Sequence, residues 1–369
     1  MRITLNRDTS LQPLQQVTNI VAKKQTHPIL SNVLLSTLDN AGVAITATDG
    51  DLEIGTTIAC EVKEQGAITV SAKKLTDIVR SLPPGSNIEL TTGKNGQVSV
   101  VAGRSRFALA TLSAADFPRY GEFSSGEHFS LPQKTLKNIL QKTAFCMAVH
   151  DVRFFLNGLM LKVEDRTLHA VASDGHRLAL AQHGIEGEDA GDAAAIIVPR
   201  KTVLELGRIL EDSDSLARCE FSRKHIRISA GRFEILSKLI DDEFPDFSHI
   251  NADAMNCVLT IPKADLKDAL MRASILSYEK FRGVRFSLAE SALTLVANNA
   301  EREEAVEVLP ANYVGEPMDI AFNATYLLDA LNAINDDTVV FRFIDQANSC
   351  CIRGQESNDT TYIVMPIKI

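Results

Sequence analysis

The stretch VASDGHRLAL, residues 171–180, places a serine, an aspartate, a histidine and an arginine within five positions. Ser173, Asp174 and His176 are the residue types of a hydrolytic triad, in which a base activates a hydroxyl nucleophile. The members of such triads usually come from distant parts of a chain, because their side chains must converge at hydrogen-bond distance. Neighbours along one turn do not give that geometry, and the chain contains no GxSxG elbow. The cluster therefore needs an explanation other than hydrolysis.

Two further kinds of chemistry lack their motifs. The chain has no GxxxxGK[ST] loop and no GxGxxG after a strand pattern, which disfavours a nucleotide-driven enzyme. Its eight histidines are spread out, with no HExxH and no His/Cys cluster. We expect His27, His128 and His225 at strand ends or on the surface. The prediction is a protein that is not an enzyme and has no cofactor or metal site; weak binding of Mg²⁺ or Ca²⁺ by surface carboxylates stays open.

The composition is that of an ordinary globular protein. The chain is 45% hydrophobic and 23% charged. Its length of 369 residues predicts two or three domains. No run approaches the roughly 18 apolar residues that span a bilayer, and MRITLNRDTS begins an alternating strand pattern without an apolar signal core. Six scattered cysteines form no CxxC pair and are expected to be reduced. These features predict a cytoplasmic protein with no membrane partner.

The serine–aspartate turn recurs along the chain. Thr48-Asp49-Gly50, Ser173-Asp174-Gly175 and Asn298-Asn299 are spaced by 125 residues each time. Each follows an apolar alternation that reads as a strand ending in a turn. Asp and Asn suit such turns because their side chains bond the local backbone. The Asp therefore recurs at a position set by the fold, whereas the His occurs in the second copy only.

Other segments keep nearly the same period. RITLNRDTSLQPLQQV matches HFSLPQKTLKNILQKT and VLTIPKADLKDALMRA, each a strand that runs into a helix. ITVSAKKLTDIVRSL, AIIVPRKTVLELGRIL and DIAFNATYLLDALNAI repeat that order, and RFALATL, FEILSKLI and TYIVMPI are closing strands. We predict three repeats, at residues 1–126, 127–254 and 255–369, each with about eight strands and two helices. The fold class is α+β, with helices packed on antiparallel sheets.

Basic residues concentrate on the predicted helices, 9–24, 72–82, 133–147, 200–210, 263–275 and 323–335. These spans hold fourteen Lys or Arg and five Asp or Glu, a net charge of +9, while the rest of the chain carries −18. Lysine is a good helix former, but glutamate is equally good and is nearly absent here. A basic helical face suits the phosphate backbone of double-stranded DNA without reading its sequence. The candidate contacts on these helices are Lys73, Lys134, Lys137, Lys142, Arg200, Lys201, Lys263 and Lys267.

The chain also resembles a known family. QPLQQV, PILSNVLL, RSRFALATLSAADFP, HDVRFFLNG, ASDGHRLA, VPRK, EKFRGVR, NNAEREEA and YIVMP follow one another, in order, as in the sliding clamps, the beta subunits of DNA polymerase III. The resemblance spans the whole chain. It implies three DNA-clamp domains per chain and a head-to-tail homodimer that forms a ring around duplex DNA. It also implies that Phe107 and Leu109 contact Ile275 and Leu276 of the partner subunit.

The resemblance assigns two further sites. It places a pocket for linear peptides at Leu156, Ser173, Gly175, His176, Arg177, Leu178, Pro245, His249, Ile250, Val364, Met365, Pro366 and Ile367. It adds Lys24, His150, Arg153 and Phe154 to the DNA contacts; Phe154 and Phe155 stand where tyrosines are common, and His249 where a stronger base is common.

The implied function is that of a processivity factor for DNA replication. The implied partners are the DNA polymerase III catalytic subunit, the clamp loader, translesion and repair polymerases, DNA ligase and mismatch-repair proteins. One rival is a monomeric scaffold that binds partners without DNA. Such a scaffold would need neither the separation of charge nor the apolar pairs Phe107/Leu109 and Ile275/Leu276. A charge reversal at Lys137 and Lys142 would leave its function intact.

Overall fold

The structure, a computed structural model, describes residues 1–21, 27–39, 42–93, 95–121, 123, 126–185, 193–247, 254–277 and 282–367. The described residues group into two compact units. Of the described residues, unit 1 holds those in 1–137 and 201–239, and unit 2 holds 138–185, 193–200 and those in 240–367. Repeats one, two and three below are residues 1–126, 127–254 and 255–369. Repeat two is therefore shared between the units, while the predicted repeat boundaries stay a prediction.

Six α-helices occur in the described residues, two in each repeat. They are α1 (Arg7–Thr18), α2 (Ala72–Ser81), α3 (Gln133–Thr143), α4 (Arg200–Ile209), α5 (Lys263–Ser274) and α6 (Ala324–Ala333).

Twenty-six strands complete the described fold. Repeat one holds β1 (Arg2–Asn6), β2 (Asn32–Leu38), β3 (Gly42–Thr48), β4 (Leu52–Ala59), β5 (Glu61–Glu64), β6 (Ala67–Ser71), β7 (Asn87–Thr92), β8 (Gln97–Ala102) and β9 (Ser105–Leu112). Repeat two holds β10 (Glu127–Pro132), β11 (Gly158–Glu164), β12 (Thr167–Ser173), β13 (Arg177–Gly184), β14 (Ala193–Pro199), β15 (Leu216–Phe221), β16 (His225–Ala230) and β17 (Phe233–Lys238). Repeat three holds β18 (Cys257–Pro262), β19 (Gly283–Ala289), β20 (Ala292–Asn298), β21 (Glu304–Pro310), β22 (Asn312–Val314), β23 (Met318–Asn323), β24 (Thr338–Phe343), β25 (Cys350–Gly354) and β26 (Thr360–Val364).

Antiparallel pairing joins these strands into three sheets. Unit 1 contains one sheet of thirteen strands, in the order β10-β15-β16-β17-β4-β3-β2-β6-β9-β8-β7-β1-β5. Unit 2 contains a sheet of nine strands, β14-β11-β12-β13-β26-β25-β24-β18-β22, and one of four, β21-β20-β19-β23. The α+β class with three repeats of two helices and eight or nine strands confirms the sequence prediction.

Two of the sheets continue from one repeat into the next by the same kind of junction. In unit 1 the closing strand β17 of repeat two pairs with β4 of repeat one, and Ile235 lies opposite Ile54. In unit 2 the closing strand β26 of repeat three pairs with β13 of repeat two, and Tyr362 lies opposite Ala179. Both junctions are antiparallel strand pairs, so backbone hydrogen bonds carry the sheet across each boundary.

Alternating hydrophobicity explains the strands, and local side-chain caps explain the helix starts. In β16 the buried residues are Ile226, Ile228 and Ala230, every second position, as expected for a strand with one face on a core. Helix α1 begins at Arg7, two residues before the predicted start, because the Asn6 side chain accepts a hydrogen bond from the Asp8 amide at 2.9 Å.

Candidate functional site

The side chains of the serine–aspartate turn are used by the turn itself. Ser173 Oγ donates to the Arg177 carbonyl at 2.7 Å and accepts from the Gly175 amide at 3.1 Å. Asp174 Oδ1 accepts from the amides of His176 and Arg177 at 2.9 and 3.0 Å. A hydroxyl and a carboxylate held in this way close the β12–β13 hairpin. The exposed His176 ring makes no hydrogen bond to either side chain among the described contacts, so the turn is structural.

The equivalent turns in the other repeats are built alike. Thr48 Oγ1 donates to the Leu52 carbonyl at 3.0 Å, and Asp49 Oδ1 accepts from the amides of Asp51 and Leu52 at 2.9 and 2.8 Å. In repeat three, Asn299 Oδ1 accepts from the Glu301 and Glu303 amides at 3.1 and 2.9 Å. The period of 125 residues in the sequence thus reflects one hydrogen-bonded turn used three times.

Gly175 offers a direct test of this turn. Its φ is +87°, and a Cβ there would lie 2.7 Å from the Arg153 guanidinium. We expect Gly175→Ala to lower the free energy of unfolding by about 1 kcal/mol, since an L side chain is strained at positive φ. Gly184→Ala at the end of β13, where a Cβ meets nothing within 4 Å, is the matched control. Urea unfolding of both variants measures the difference, and equal stabilities would contradict this account.

Beside the turn, unit 2 contains a cavity of about 410 Å³. Its walls come from the β12–β13 turn, the end of β26 and the loop between β24 and β25. The lining residues are Ser173, Gly175, His176, Arg177, Leu178, Ala254, Met255, Ile344, Asn348, Ser349, Ile363 and Met365. Leu178 packs against the buried cluster of Met255, Cys351 and Ile363, which forms an apolar floor. An apolar cavity with a few polar edges is typical of a ligand site.

The cavity brings together six of the thirteen residues predicted for the peptide pocket: Ser173, Gly175, His176, Arg177, Leu178 and Met365. Five other predicted residues do not line it. Leu156 is buried beneath the surface, Pro245 is exposed elsewhere, Val364 is a buried strand residue, and Pro366 and Ile367 follow it. His249 and Ile250 lie outside the described residues.

Six lining residues were missed from the sequence: Ala254, Met255, Ile344, Asn348, Ser349 and Ile363. One signal could have found Ile363. Since β13 and β26 are antiparallel, Leu178 lies opposite Ile363, and Arg177 lies opposite Val364. The apolar Leu178 therefore points to Ile363 as its partner in the wall, and Ile363 is two positions before the predicted Met365, on the same side of the strand. The loop residues carry no such pattern.

The Arg177 side chain is held inside the protein. Its guanidinium donates to Asp174 Oδ2 at 3.0 Å, to Asp329 Oδ2 at 2.6 Å and to the Phe145 carbonyl at 2.8 Å. It also lies 4.4 Å from the centre of the Tyr326 ring. Burial opposes the charge, but the hydrogen bond to Asp329 and the nearby carboxylates raise the pKa of Arg177. Arg177 thus lines the cavity as a fixed wall.

Several predicted DNA contacts are engaged within the protein. Lys142 is buried and donates to Asp359 at 2.7 Å. Lys134 pairs with Asp214 at 2.7 Å, Lys201 pairs with Asp49, and Lys263 donates to two carbonyls after the end of α6. Their spacing in the sequence gave no indication of these partners. The burial and ion pair of Lys142 count against it as a direct DNA contact.

Other predicted contacts are available on the surface. Lys73 on α2 is exposed, and Lys137 on α3 and Lys267 on α5 are half-buried. The described part of the chain shows no ion pair for these three lysines. Arg200 at the start of α4 has a buried Nε without a partner. Lys24 lies outside the described residues.

The helices as observed keep the excess of positive charge, but unevenly. They contain thirteen Lys or Arg and six Asp or Glu, a net of +7, compared with +9 for the predicted spans. The difference arises because α1 starts at Arg7 and Asp8 and ends at Thr18, before Lys23. Helix α6 contains no basic residue and one acid, Asp329. The positive charge therefore comes from α2, α3, α4 and α5.

The loop 149–154 carries apolar side chains into solvent. Val149, Val152 and Phe154 are strongly exposed, Phe154 at 70%. Arg153 is turned back onto Asp151, with donor–acceptor distances of 3.0 and 2.9 Å, and that hydrogen bonding lowers the pKa of Asp151 to about 2. His150 has a φ of +58°, which marks the sharp turn of the loop.

Three of the four residues predicted at the dimer contact are at least partly exposed, and the fourth is buried. Phe107 is half-buried on β9, and Ile275, just after α5, is 77% exposed. Leu276 is half-buried, whereas Leu109 is 8% exposed and belongs to the core of its own unit. The exposed apolar surface on the two sides of the predicted contact therefore comes mainly from Phe107 on one side and Ile275 on the other.

Two other classes of site, metal centres and membrane-spanning helices, have no candidate in the described residues. No group of three or more His, Cys, Asp or Glu side chains is placed to hold a metal ion. In the same residues no helix has both the length and the apolar character needed to cross a membrane.

Family models and curated relatives that match this chain all belong to one family. Three family models match: the N-terminal, central and C-terminal domains of the DNA polymerase III beta subunit, at residues 1–121, 130–246 and 253–368. The beta sliding clamps of Pseudomonas aeruginosa and Escherichia coli K12 are 39% and 40% identical, with all of each chain covered.

Solved structures agree. The crystal structure of the DNA polymerase III subunit beta from Pseudomonas aeruginosa matches with a TM-score of 0.95 at 38% identity, and the same protein bound to griselimycin also gives 0.95. Both comparisons cover 100% of each chain. The chain therefore belongs to the family of sliding clamps, the beta subunits of DNA polymerase III, which are non-catalytic accessory subunits that act as processivity factors in DNA replication.

Proposed function

We propose that two copies of this chain close head to tail into a ring around duplex DNA in the cytoplasm and tether partner proteins through the cavity beside Arg177. The observation that carries the ring is the strand pairing at the repeat junctions. Two junctions lie within the chain, β17 with β4 and β26 with β13. At the equivalent third junction, β21 lies at the edge of its sheet, and β9 is paired by β6 only at Thr111 and Leu112, so residues 105–110 of β9 have no strand on that side among the described residues.

The internal junctions predict how the third one pairs. In the closing hairpins, Phe107 lies opposite Val100 just as Ile235 lies opposite Ile228 and Tyr362 opposite Ile352. Phe107 is therefore the counterpart of Ile235 and Tyr362 at the two internal junctions.

The receiving strands align in the same way. Ala305 lies opposite Ala297 on β20, as Ile54 lies opposite Ala47 and Ala179 opposite Ala172. Since Ile235 meets Ile54 and Tyr362 meets Ala179, the repeat predicts that Phe107 of one chain lies opposite Ala305 of the other.

Charge complementarity supports this contact. Arg104 and Arg106 are exposed on or beside β9, and Glu301, Glu303 and Glu304 are exposed on or before β21. Opposite charges on the two edges favour head-to-tail association over contact between like edges. A heterologous contact of this kind must close into a ring, because otherwise it would extend into a fibre.

Small-angle X-ray scattering of the purified chain at several concentrations tests the ring. We expect a mass twice 40.3 kDa and a distance distribution with a hollow centre. A monomer that persists at high concentration would overturn the ring and favour the monomeric scaffold.

For DNA, we expect that changing Lys137 and Lys267 to glutamine weakens binding to duplex DNA of any sequence. The plot of log K against log salt has a negative slope, and each lost phosphate contact makes it shallower by about 0.9. The slope of the double variant should therefore be shallower by roughly 2. Fluorescence anisotropy with a linear duplex at several salt concentrations measures the slope. Lys63→Gln on β5 is the control, and an equal slope for it and the double variant would contradict the assignment.

The cavity is proposed to take short linear peptides from partners. Its apolar floor and adaptable methionines, Met255 and Met365, suit several ligands in turn. The proposed partners are the DNA polymerase III catalytic subunit, the clamp loader, translesion and repair polymerases, DNA ligase and mismatch-repair proteins. A relative has been solved bound to griselimycin, and we expect griselimycin to bind this cavity and compete with partner peptides. Isothermal titration calorimetry measures that binding.

A further inference from the structure

Helix α6 reaches the wall of the cavity without lining it. Asp329 of α6 accepts a 2.6 Å hydrogen bond from Arg177 Nη1, and the Tyr326 ring lies under the same guanidinium. Neither Asp329 nor Tyr326 is among the lining residues. The Arg177 side chain is only 12% exposed, so these contacts are made largely out of water. Charge-assisted hydrogen bonds in such surroundings are strong and directional.

We infer that Asp329 is a positioning residue for ligand binding: it fixes Arg177 from α6 and thereby sets the shape of the cavity. This inference rests on the proposed function of the cavity as a peptide site. Its basis is the juxtaposition of one guanidinium with a carboxylate on the β12–β13 turn, Asp174, and another on α6.

The backbone carries the effect from Arg177 to the ligand. Arg177 is paired with Val364 at the junction of β13 and β26, and the next residues, Leu178 and Met365, both line the cavity. The Met365 amide donates to the His176 carbonyl at 2.9 Å, just before Arg177. A change in the position of Arg177 therefore acts on both strands that form the wall.

The same link reaches a second cavity in unit 2, of about 290 Å³. Asp329 and Phe145 line it, together with Lys142 and the exposed amides of Asn138 and Asn332. Phe145 also supplies the carbonyl that accepts from Arg177 Nη2. Asp329 thus faces Arg177 on one side and solvent on the other, and the side chain is 34% exposed. A substitution that moves Asp329 or Phe145 in this second cavity would therefore also act on Arg177 in the wall of the peptide cavity.

Asp329→Asn tests the inference because asparagine keeps the shape and removes the charge. With griselimycin as the probe, we expect about tenfold weaker binding by calorimetry, the size of one lost charge-assisted hydrogen bond. Asp329→Glu, which restores a carboxylate, should recover most of the affinity. Asp268→Asn on α5, another helical carboxylate, is the matched control and should bind as the original chain does.

A double-mutant cycle separates positioning from a general effect on folding. If Asp329 acts through Arg177, the variant Arg177→Ala with Asp329→Asn should bind no more weakly than Arg177→Ala alone. Additive losses, or unchanged binding by Asp329→Asn, would overturn the inference. If Asp329→Asn does not fold, Tyr326→Leu takes its place in the same cycle, with the same two readings. Failure of the original chain to bind griselimycin would instead overturn the cavity assignment.

Discussion

Replacing Ile275 with aspartate is expected to convert the dimeric ring into monomers. Ile275 is 77% exposed in the single chain and follows α5 on the surface predicted to meet Phe107. Burying a side chain of this size contributes about 1.5–3 kcal/mol. A closed dimer contains two such contacts, so the loss of free energy counts twice. We expect the dissociation constant of the dimer to rise roughly 10²–10⁴-fold.

Sedimentation velocity over a range of concentrations measures this shift. Val314→Asp, which replaces another exposed aliphatic side chain on β22, is the control and should leave the dimer intact. A variant at Ile275 that stays dimeric at nanomolar concentration would show that the contact lies elsewhere. Leu109 is a poor target for the same test, because its side chain is buried in its own unit and a polar replacement would disturb the fold.

Removing residues 365–369 is expected to weaken griselimycin and peptide binding in the cavity strongly. Met365 lines the cavity and is 50% exposed, ready to be covered by a ligand. Covering a methionine contributes about 1.5–3 kcal/mol, so its loss should weaken binding roughly 10–100-fold. Ending the chain after Val364 leaves β26 complete and its pairing with β13 and β25 intact. A deletion that began at Val364 would damage the sheet as well.

Calorimetry with griselimycin measures the effect of the truncation. A shorter deletion of residues 368–369 is the control and should retain binding. Met365→Ser in the full chain separates the side chain from the Met365 amide, which donates to the His176 carbonyl. Full affinity in the chain that ends at Val364 would refute the placement of the ligand against Met365.

The repeated fold could be predicted because it depends on local patterns. The turn at Ser173 and Asp174 recurs at a fixed period, since the side chains that close it must sit at the end of the same strand. Strand alternation and leucine spacing likewise predicted the helix starts to within two residues. Helix α1 begins two residues early because of the Asn6 cap, and it ends at Thr18, six residues before the predicted end.

The site was predicted only in part because its walls come from distant segments. Met255 and Ile344 lie beside the β12–β13 turn because the sheet joins repeat three to repeat two. Neither residue lies in a recognisable sequence motif. The partners of basic residues are equally hidden. Lys137 and Lys142 look alike in the sequence, but within the described part of the chain only Lys142 meets a carboxylate, that of Asp359, 217 positions further along.

The three junctions differ in how they respond to dilution. The pairs β17 with β4 and β26 with β13 are joined by the polypeptide itself, so their strands face one another at an effective concentration that does not change when the protein is diluted. The proposed pair of β9 with β21 has no such connection, and its occupancy follows the amount of protein present. Low protein concentration should therefore open the ring at this junction and leave the other two closed. A factor that opens the ring would therefore act at this kind of junction, which occurs twice in the dimer.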